Sequence, residues 1–334
     1  MPRVTIAHVA RAAEVSTATV SHALNGTGRL GDSTRRRVRA TAEALGYGGR
    51  AAFPRTLGLA VTTYGTEPWN FADVPYFAQA IGAATAAAHA RGYALTALPS
   101  APAASVWAAV PLAGVLLMDS PADDPVVALL RERGVPLAFD GLPGAPRPGD
   151  IRVDNDHRAT TRTVLGHLAA RGATRIALMS GAGDDHYTRS CLAAYDAWCD
   201  EHGRARRHLR LGYADPEGHC FDAPLSAADR PDAIFGIYDP CGHRTLASAA
   251  RVGLRVPGDL LLVCASEDPA YGSTVPPVST VSLDPRRTAG LAIDALVDAI
   301  ECGGPVRERP PLTVPSRLHP RASSAGLRSR PAPG

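Results

Sequence analysis

The sequence predicts a small all-α helix-turn-helix head followed by an α/β core of two doubly wound lobes. Three observations point to this. Basic charge is gathered at one end: residues 1–55 carry nine Arg against Glu14, Asp32 and Glu43, a net +6, while the remainder carries 26 Arg against 29 acids, a net −3. Three short, capped, amphipathic segments lie inside that basic stretch. From Leu57 onward, short apolar runs alternate with helical stretches that end in Gly. A basic head on a slightly acidic body is the electrostatic footprint of nucleic-acid binding. A solvated charged helix would explain "RRRVR" but not the concentration at one end.

In the head, Thr5 is a good N-cap for "IAHVARAA", whose inward stripe is Ile6, Val9, Ala10 and Ala13. After the short turn "EVS", Ser16 can cap a second helix that stops at Asn25-Gly26. Along "VSTATVSHALN", Val20 and Leu24 share one face, while Thr17 with Ser21, and Ala18 with His22, share the other. A third helix follows "GDS", turns Val38, Thr41 or Ala42, and Leu45 inward, and ends at Gly46. Two short helices joined by a tight turn and braced by a third make a helix-turn-helix. Small outward residues let the second helix sink into a major groove, where Thr17, Ala18 and His22 meet base edges. Ser16, Thr19, Ser21 and Asn25 are placed for phosphates, and Arg35 to Arg39 for salt-sensitive attraction. The bland alternative is a helical cap with no ligand.

The stretches "VTIAHVARAAEVSTATVSHALNGTG" and "STRRRVRATAEALGY" resemble the LacI/GalR family of bacterial transcription regulators, without a gap from Val4 to Tyr47. The resemblance puts Thr17, Ala18 and His22 at base-reading positions. With Thr5, Thr34 and Tyr47 added, the expected backbone contacts are Thr5, Ser16, Thr19, Ser21, Asn25, Thr34, Arg35, Arg36 and Tyr47. His22 stands where the family has Arg, and His8 where it has Asp. Glu14 replaces a turn Gly, at a cost of about 1 kcal/mol if the backbone there is left-handed. Residues 48–56 form a shortened hinge without the Leu of the family's P-N-x-x-A-R-x-L segment, and Pro54 discourages a helix through Phe53. A short flexible linker, with weaker operator bending, is the expectation.

In the body, "LGLAV", "ALTAL", "GVLLM" and "VPLAF" read as buried parallel strands, followed by "RIALM", "AIFGI" and "LLLVC". Between them lie helices such as "PYFAQAIGAATAAAHARG", "DPVVALLRERG", "ATTRTVLGHLAARG" and "GHRTLASAARVG". Two βαβ series without a linker between them imply two lobes, crossed directly by the chain, with a cleft at the carboxyl ends of the strands. The same family resemblance continues through "VDNDHRATTRTVLGHLAARGATRIALMSG", "PDAIFGIYDP" and "SRLHPRASS". It implies a periplasmic-binding-protein-like (type I) core over residues 57–324 that dimerises and binds an effector between its lobes, with residues 325–334 as a disordered tail. The candidates for that cleft are Tyr64, Tyr76, Phe77, Asp119, Asp140, Arg189, Tyr238, Asp239, Ser266 and Glu267. For each of these, a purely structural role is an equal alternative. Three family sugar-binding positions have changed. Cys191 stands at the Arg position, Tyr238 at the Asn, and Ser266-Glu267 at the Asp pair, which weakens the case for a sugar.

No P-loop, G-x-G-x-x-G or G-x-S-x-G motif supports an enzyme. The pairs His219-Cys220 and Cys241/His243 match no standard zinc spacing, so neither a metal nor a cofactor is expected. The six Cys are scattered without a CxxC, and no N-terminal hydrophobic run or membrane-length apolar stretch occurs. A cytoplasmic protein with reduced thiols and no membrane partner is therefore expected. The function expected is a homodimeric, sequence-specific DNA-binding regulator, a repressor by family habit. It would act on a double-stranded operator and respond to a small-molecule effector such as a sugar. The alternatives are a regulator whose pocket has decayed, or a cytoplasmic small-molecule-binding protein or enzyme on the same core.

Overall fold

A computed structural model describes residues 5–25, 28, 30–45, 55–62, 71–98, 104–211, 215, 217–302 and 310–327. Expectations for Tyr47, Tyr64, the hinge before Arg55 and the last seven residues lie outside these, as does the side chain of Asn25. The chain forms two compact units that part at the Thr56–Leu57 junction.

The first unit holds α1 (Ile6–Ala12), α2 (Thr17–Asn25) and α3 (Asp32–Ala44). Its core is Val9, Ala10, Ala13, Val20, Ala23, Val38 and Ala42, with Ile6, Val15, Leu24 and Leu30 packed around it. Leu45, expected to face inward, is 38% exposed one residue past the end of α3, where the head core already closes over Val38 and Ala42. Local chemistry sets the ends. The Thr5 N–H donates to His8 Nδ1 at 3.1 Å, so His8 performs the back-bond of a capping box. Ser16 Oγ accepts from the Thr19 N–H at 3.1 Å and caps α2. Glu14 sits at φ 54°, its N–H bonding Arg11 O and that of Val15 bonding Ala10 O. This is the Schellman ending, whose left-handed residue is usually Gly.

The second unit contains two six-stranded sheets. Its strands and helices run β1 (Thr56–Val61), α4 (Pro75–Ala90), β2 (Ala94–Ala97), α5 (Ala104–Ala109), β3 (Gly114–Met118), α6 (Pro125–Glu132), β4 (Leu137–Asp140) and β5 (Ile151–Asn155). They continue α7 (His157–Ala169), β6 (Ile176–Ser180), α8 (His186–Glu201), β7 (His208–Arg210), α9 (Asp222–Ser226), β8 (Ala233–Gly236), α10 (Pro240–Arg251) and β9 (Leu261–Ala265). The last are β10 (Ser279–Ser282), α11 (Pro285–Cys302), β11 (Leu312–Val314) and β12 (Arg317–His319). One sheet is ordered β2-β1-β3-β4-β5-β11 and the other β7-β6-β8-β9-β10-β12. The pairs from β1 through β3, β4 and β5 to β11 are parallel, and in the second sheet only β10–β12 is antiparallel.

Strands covered on both faces read as unbroken apolar runs: β3 and β9 are buried at every position. "ALTAL" was expected to be buried likewise, but β2 is the edge of its sheet and no residue in it is fully buried. The chain crosses between lobes three times: from β5 into α7, from β10 into α11, which packs on α4 and the first sheet, and from β11 to β12. Beyond Ser324, the Leu327 N–H donates to Arg171 O.

Candidate DNA-reading head and effector cleft

On α2, the apolar face goes into the head core and the other side stays open: Thr17, Ala18 and His22 are exposed. Thr5, Ser16 and Arg36 are exposed as well, and Thr19, Ser21, Thr34 and Arg35 are half-buried. Gly28, at φ 75°, has no side chain to displace the His22 ring; a Cβ there would come within 3.0 Å of it. The outer surface of α2 is therefore low in profile, with one imidazole standing out from it.

The second site lies where strand ends from both lobes meet. Asp119 follows β3, Asp140 ends β4 and Asp154 lies on β5; Tyr238-Asp239 follow β8 and Ser266-Glu267 follow β9. Tyr76 and Phe77 open α4, His157 opens α7, and His186-Tyr187 open α8. All of these line one cavity of about 240 Å³, at the place where open α/β sheets bind ligands. Of the effector residues expected from sequence, eight are brought together here: Tyr76, Phe77, Asp119, Asp140, Tyr238, Asp239, Ser266 and Glu267.

Arg189 is not among them. It pairs with Asp184 at 3.2 Å outside the cavity lining. On α8 the residues reaching the cleft are His186 and Tyr187, and two further residues turn the helix by about 200°. Cys191, at the position where the family has Arg, is 2% exposed in the hydrophobic core of the second lobe. Asp154, His157, His186 and Tyr187 were not anticipated. The available signal was "VDNDH", a strand end followed at once by a helix N-terminus.

The polar groups of the cleft are closely coupled. Tyr76 donates its hydroxyl to Asp140 Oδ2 at 2.7 Å. His157 Nε2 lies 2.7 Å from one oxygen of Asp154 and His186 Nε2 lies 3.0 Å from the other. Tyr187 donates to the Ile237 carbonyl at 2.7 Å, Ser266 donates to Asp239, and Glu267 accepts from Ser282 Oγ at 2.9 Å and the Leu283 N–H at 2.7 Å. Burial drives Asp140 up to about 7 against the pull of the Tyr76 hydrogen bond. Burial likewise raises Asp239 to about 6, with the Glu267 charge adding to it. Asp119 is pushed well above the carboxylate range by burial and by Asp185, Asp140 and Asp154. Burial also works against Asp154, but the two imidazoles outweigh it and hold this carboxyl at about 2. Among the described residues, Asp154, His157 and His186 are the group whose ligand atoms could converge on a metal ion. The His219, Cys220, Cys241 and His243 set does not converge this way: Cys241 is buried, Cys220 is exposed, and His243 stacks on Tyr271.

Comparison with known proteins decides the family. The profile described as "Bacterial regulatory proteins, lacI family" matches residues 5–48, and that of a periplasmic binding protein-like domain matches residues 165–324. An HTH-type transcriptional regulator from the aml 5′ region of Streptomyces limosus is 30% identical over 318 residues, 88% of each chain. The chain belongs to the LacI family of transcriptional regulators. Two solved structures show the LacI-family architecture end to end. The regulator CelR in complex with cellobiose has 25% identity and a TM-score of 0.71, covering 96% of this chain and all of the other. A lac repressor dimer bound to operator and the anti-inducer ONPF has 21% identity and a TM-score of 0.69, covering 97% and 99%. As a LacI-family member the chain is a DNA-binding transcriptional regulator and not an enzyme. No helix among the described residues is long and apolar enough to cross a membrane.

Proposed function

We propose that the chain works as a homodimer on a pseudo-palindromic operator, and that a small molecule in the cleft between its lobes changes operator affinity. Thr17, Ala18 and His22 read base edges. Thr5, Ser16, Thr19, Ser21, Asn25, Thr34, Arg35, Arg36 and Tyr47 hold the phosphate backbone and set the register. Repression is the sense of regulation that the lac repressor relative favours. The single observation that supports this reading best is the open, small-residue face of α2, in the same chain as a cleft lined by aromatic rings and carboxylates where the chain crosses three times between lobes. A ligand that fits one arrangement of the lobes better than another shifts the population toward it, and that differential affinity is the whole of its leverage on DNA.

The test is affinity selection of fragmented genomic DNA on the purified protein, followed by sequencing. Enrichment of a short inverted repeat is expected, and its half-site spacing reports what the short hinge does. Uniform, salt-sensitive recovery without a motif would reduce the head to a phosphate binder and overturn the reading.

A further inference from the structure

We propose that the ligand of the cleft is a small organic amine, protonated at neutral pH, whose ammonium group is received by Asp119 and Asp140. This deepens the effector reading above and rests on it.

Among the described residues, five carboxylates line the cavity, Asp119, Asp140, Asp154, Asp239 and Glu267, and no Arg does; His157 and His186 are both engaged by Asp154. Three of the five already have good partners: Asp154 its imidazoles, Asp239 the Ser266 hydroxyl, and Glu267 Ser282 with the Leu283 N–H. Asp140 has Tyr76 alone. Asp119 accepts no hydrogen bond from any described residue. It sits at φ 51°, in the left-handed region that Asp and Asn enter more readily than other side chains. A half-buried carboxylate without donors at the cavity wall, among the like charges of Asp140, Asp154 and Asp185, calls for something that brings both donors and positive charge.

The rest of the wall agrees. Tyr187 donates to a backbone carbonyl, the Tyr238 hydroxyl is shared with Thr188 and Asp185, and among the described lining hydroxyls only that of Ser120 is not seen donating. His157, whose side chain is 6% exposed, has its Nδ1 without a partner. The cavity therefore offers mainly acceptors. An ammonium group has three donors and no acceptor, so it loses nothing here. A carboxylate or phosphate would be repelled, and a neutral sugar would leave its own oxygens short of donors. The rings of Tyr76, Phe77, Tyr187 and Tyr238 line the same cavity, aromatic surroundings that suit a cation and its methylenes. At about 240 Å³ the space suits a small ligand, since pockets for drug-sized molecules run from about 300 to 1,000 Å³.

The experiment is calorimetric titration of the full-length protein with two matched pairs: glucosamine against glucose, and putrescine against 1,4-butanediol. At least one amine should bind saturably, with its hydroxyl counterpart at least tenfold weaker. The pair that shows the effect separates an amino sugar from an aliphatic diamine. Asp119→Asn should weaken the amine about tenfold or more while the ligand-free thermal midpoint stays level or rises. Asn tolerates the left-handed backbone, so this variant keeps its fold. Glucose binding as tightly as glucosamine overturns the proposal, as does the failure of both amines to saturate at millimolar concentration. Zn²⁺ uptake that His157→Ala abolishes, with no amine bound, would give the cleft to a metal and overturn it too. Gel shifts on the selected operator separate this from the effector reading. An amine that binds without altering operator affinity sinks the effector role alone. Glucose altering operator affinity while amines do not bind sinks the amine alone.

Discussion

The side-chain nitrogen of Asn155 donates to the carbonyl of Leu283 at 2.9 Å and, from the same atom, to that of Val314 at 2.8 Å. Asn155 ends β5, Leu283 follows β10 and Val314 ends β11, so one buried amide ties together the three places where the chain passes between lobes. Asn155→Ala leaves two carbonyls short of a donor, which should cost about 1–3 kcal/mol. Asn155→Asp keeps the shape but sets a carboxylate against those carbonyls, and should cost more. Denaturant melts give both values. No loss in either variant would mean that the amide's donors do not matter.

Stability should fall as pH rises between about 4 and 7. The folded chain holds the Asp140 proton to about 7 because burial, with Asp154 nearby, opposes ionisation despite Tyr76 and His157. The unfolded chain releases it near 3.8. Across that window the unfolded state binds fewer protons, so rising pH favours unfolding, by on the order of a few kcal/mol in all. Asp239, raised to about 6, acts in the same direction. Asp154, held at about 2, acts oppositely and gives up its contribution only as pH falls from about 4 toward 2. Asp140→Asn should therefore raise the melting point near pH 7.5 and leave it unchanged near pH 4. A gain of the same size at both pH values would mean that the charge is not the cause.

The head was legible almost residue by residue, because what builds it is local. Caps at Thr5 and Ser16, the stripe of Val9, Ala10 and Ala13, and the spacing of Val20 and Val38 all lie within a turn or two of what they control. Buried central strands such as β3 and β9 announced themselves as apolar runs. The alternating, half-polar "IRVDN" of β5, the three-residue β7, β11 and β12, and β10 did not. In the cleft, Asp119, Asp140, Asp239, Ser266 and Glu267 could be found because each lies within two residues of the end of an apolar run. His157 and His186 could not, since they meet at Asp154 only through a chain crossing and a long-range turn of the second lobe. Arg189 was misplaced by counting along the chain where helical rotation decides.

Glu14→Gly should stabilise the head by about 1 kcal/mol, because Glu14 occupies the left-handed position of the Schellman ending of α1 at φ 54°. Glycine adopts that conformation without steric cost and keeps both of the motif's hydrogen bonds, Glu14 N–H to Arg11 O and Val15 N–H to Ala10 O. Amide exchange on α1 to α3 in the full-length chain should slow about fivefold if those amides exchange by unfolding of the head. No change would mean that the turn is already unstrained.

His22 and Arg36 should fail in different ways when truncated. Among the described side chains, the His22 imidazole is the one large group on the exposed face of α2, and it rests against Gly28. A side chain reaching base edges carries about 1–3 kcal/mol of discrimination at one base pair. His22→Ala should therefore relax the selected motif at one position in each half-site and leave the others sharp. Arg36 is exposed on α3, where a guanidinium offers charge to phosphates. Arg36→Ala should weaken every DNA sequence by a similar factor and lower the salt dependence of binding by about one unit in the log–log slope. Repeating the genomic selection with each variant, at two salt concentrations, reads both effects. An unchanged motif with His22→Ala would mean that α2 does not present this face to the bases.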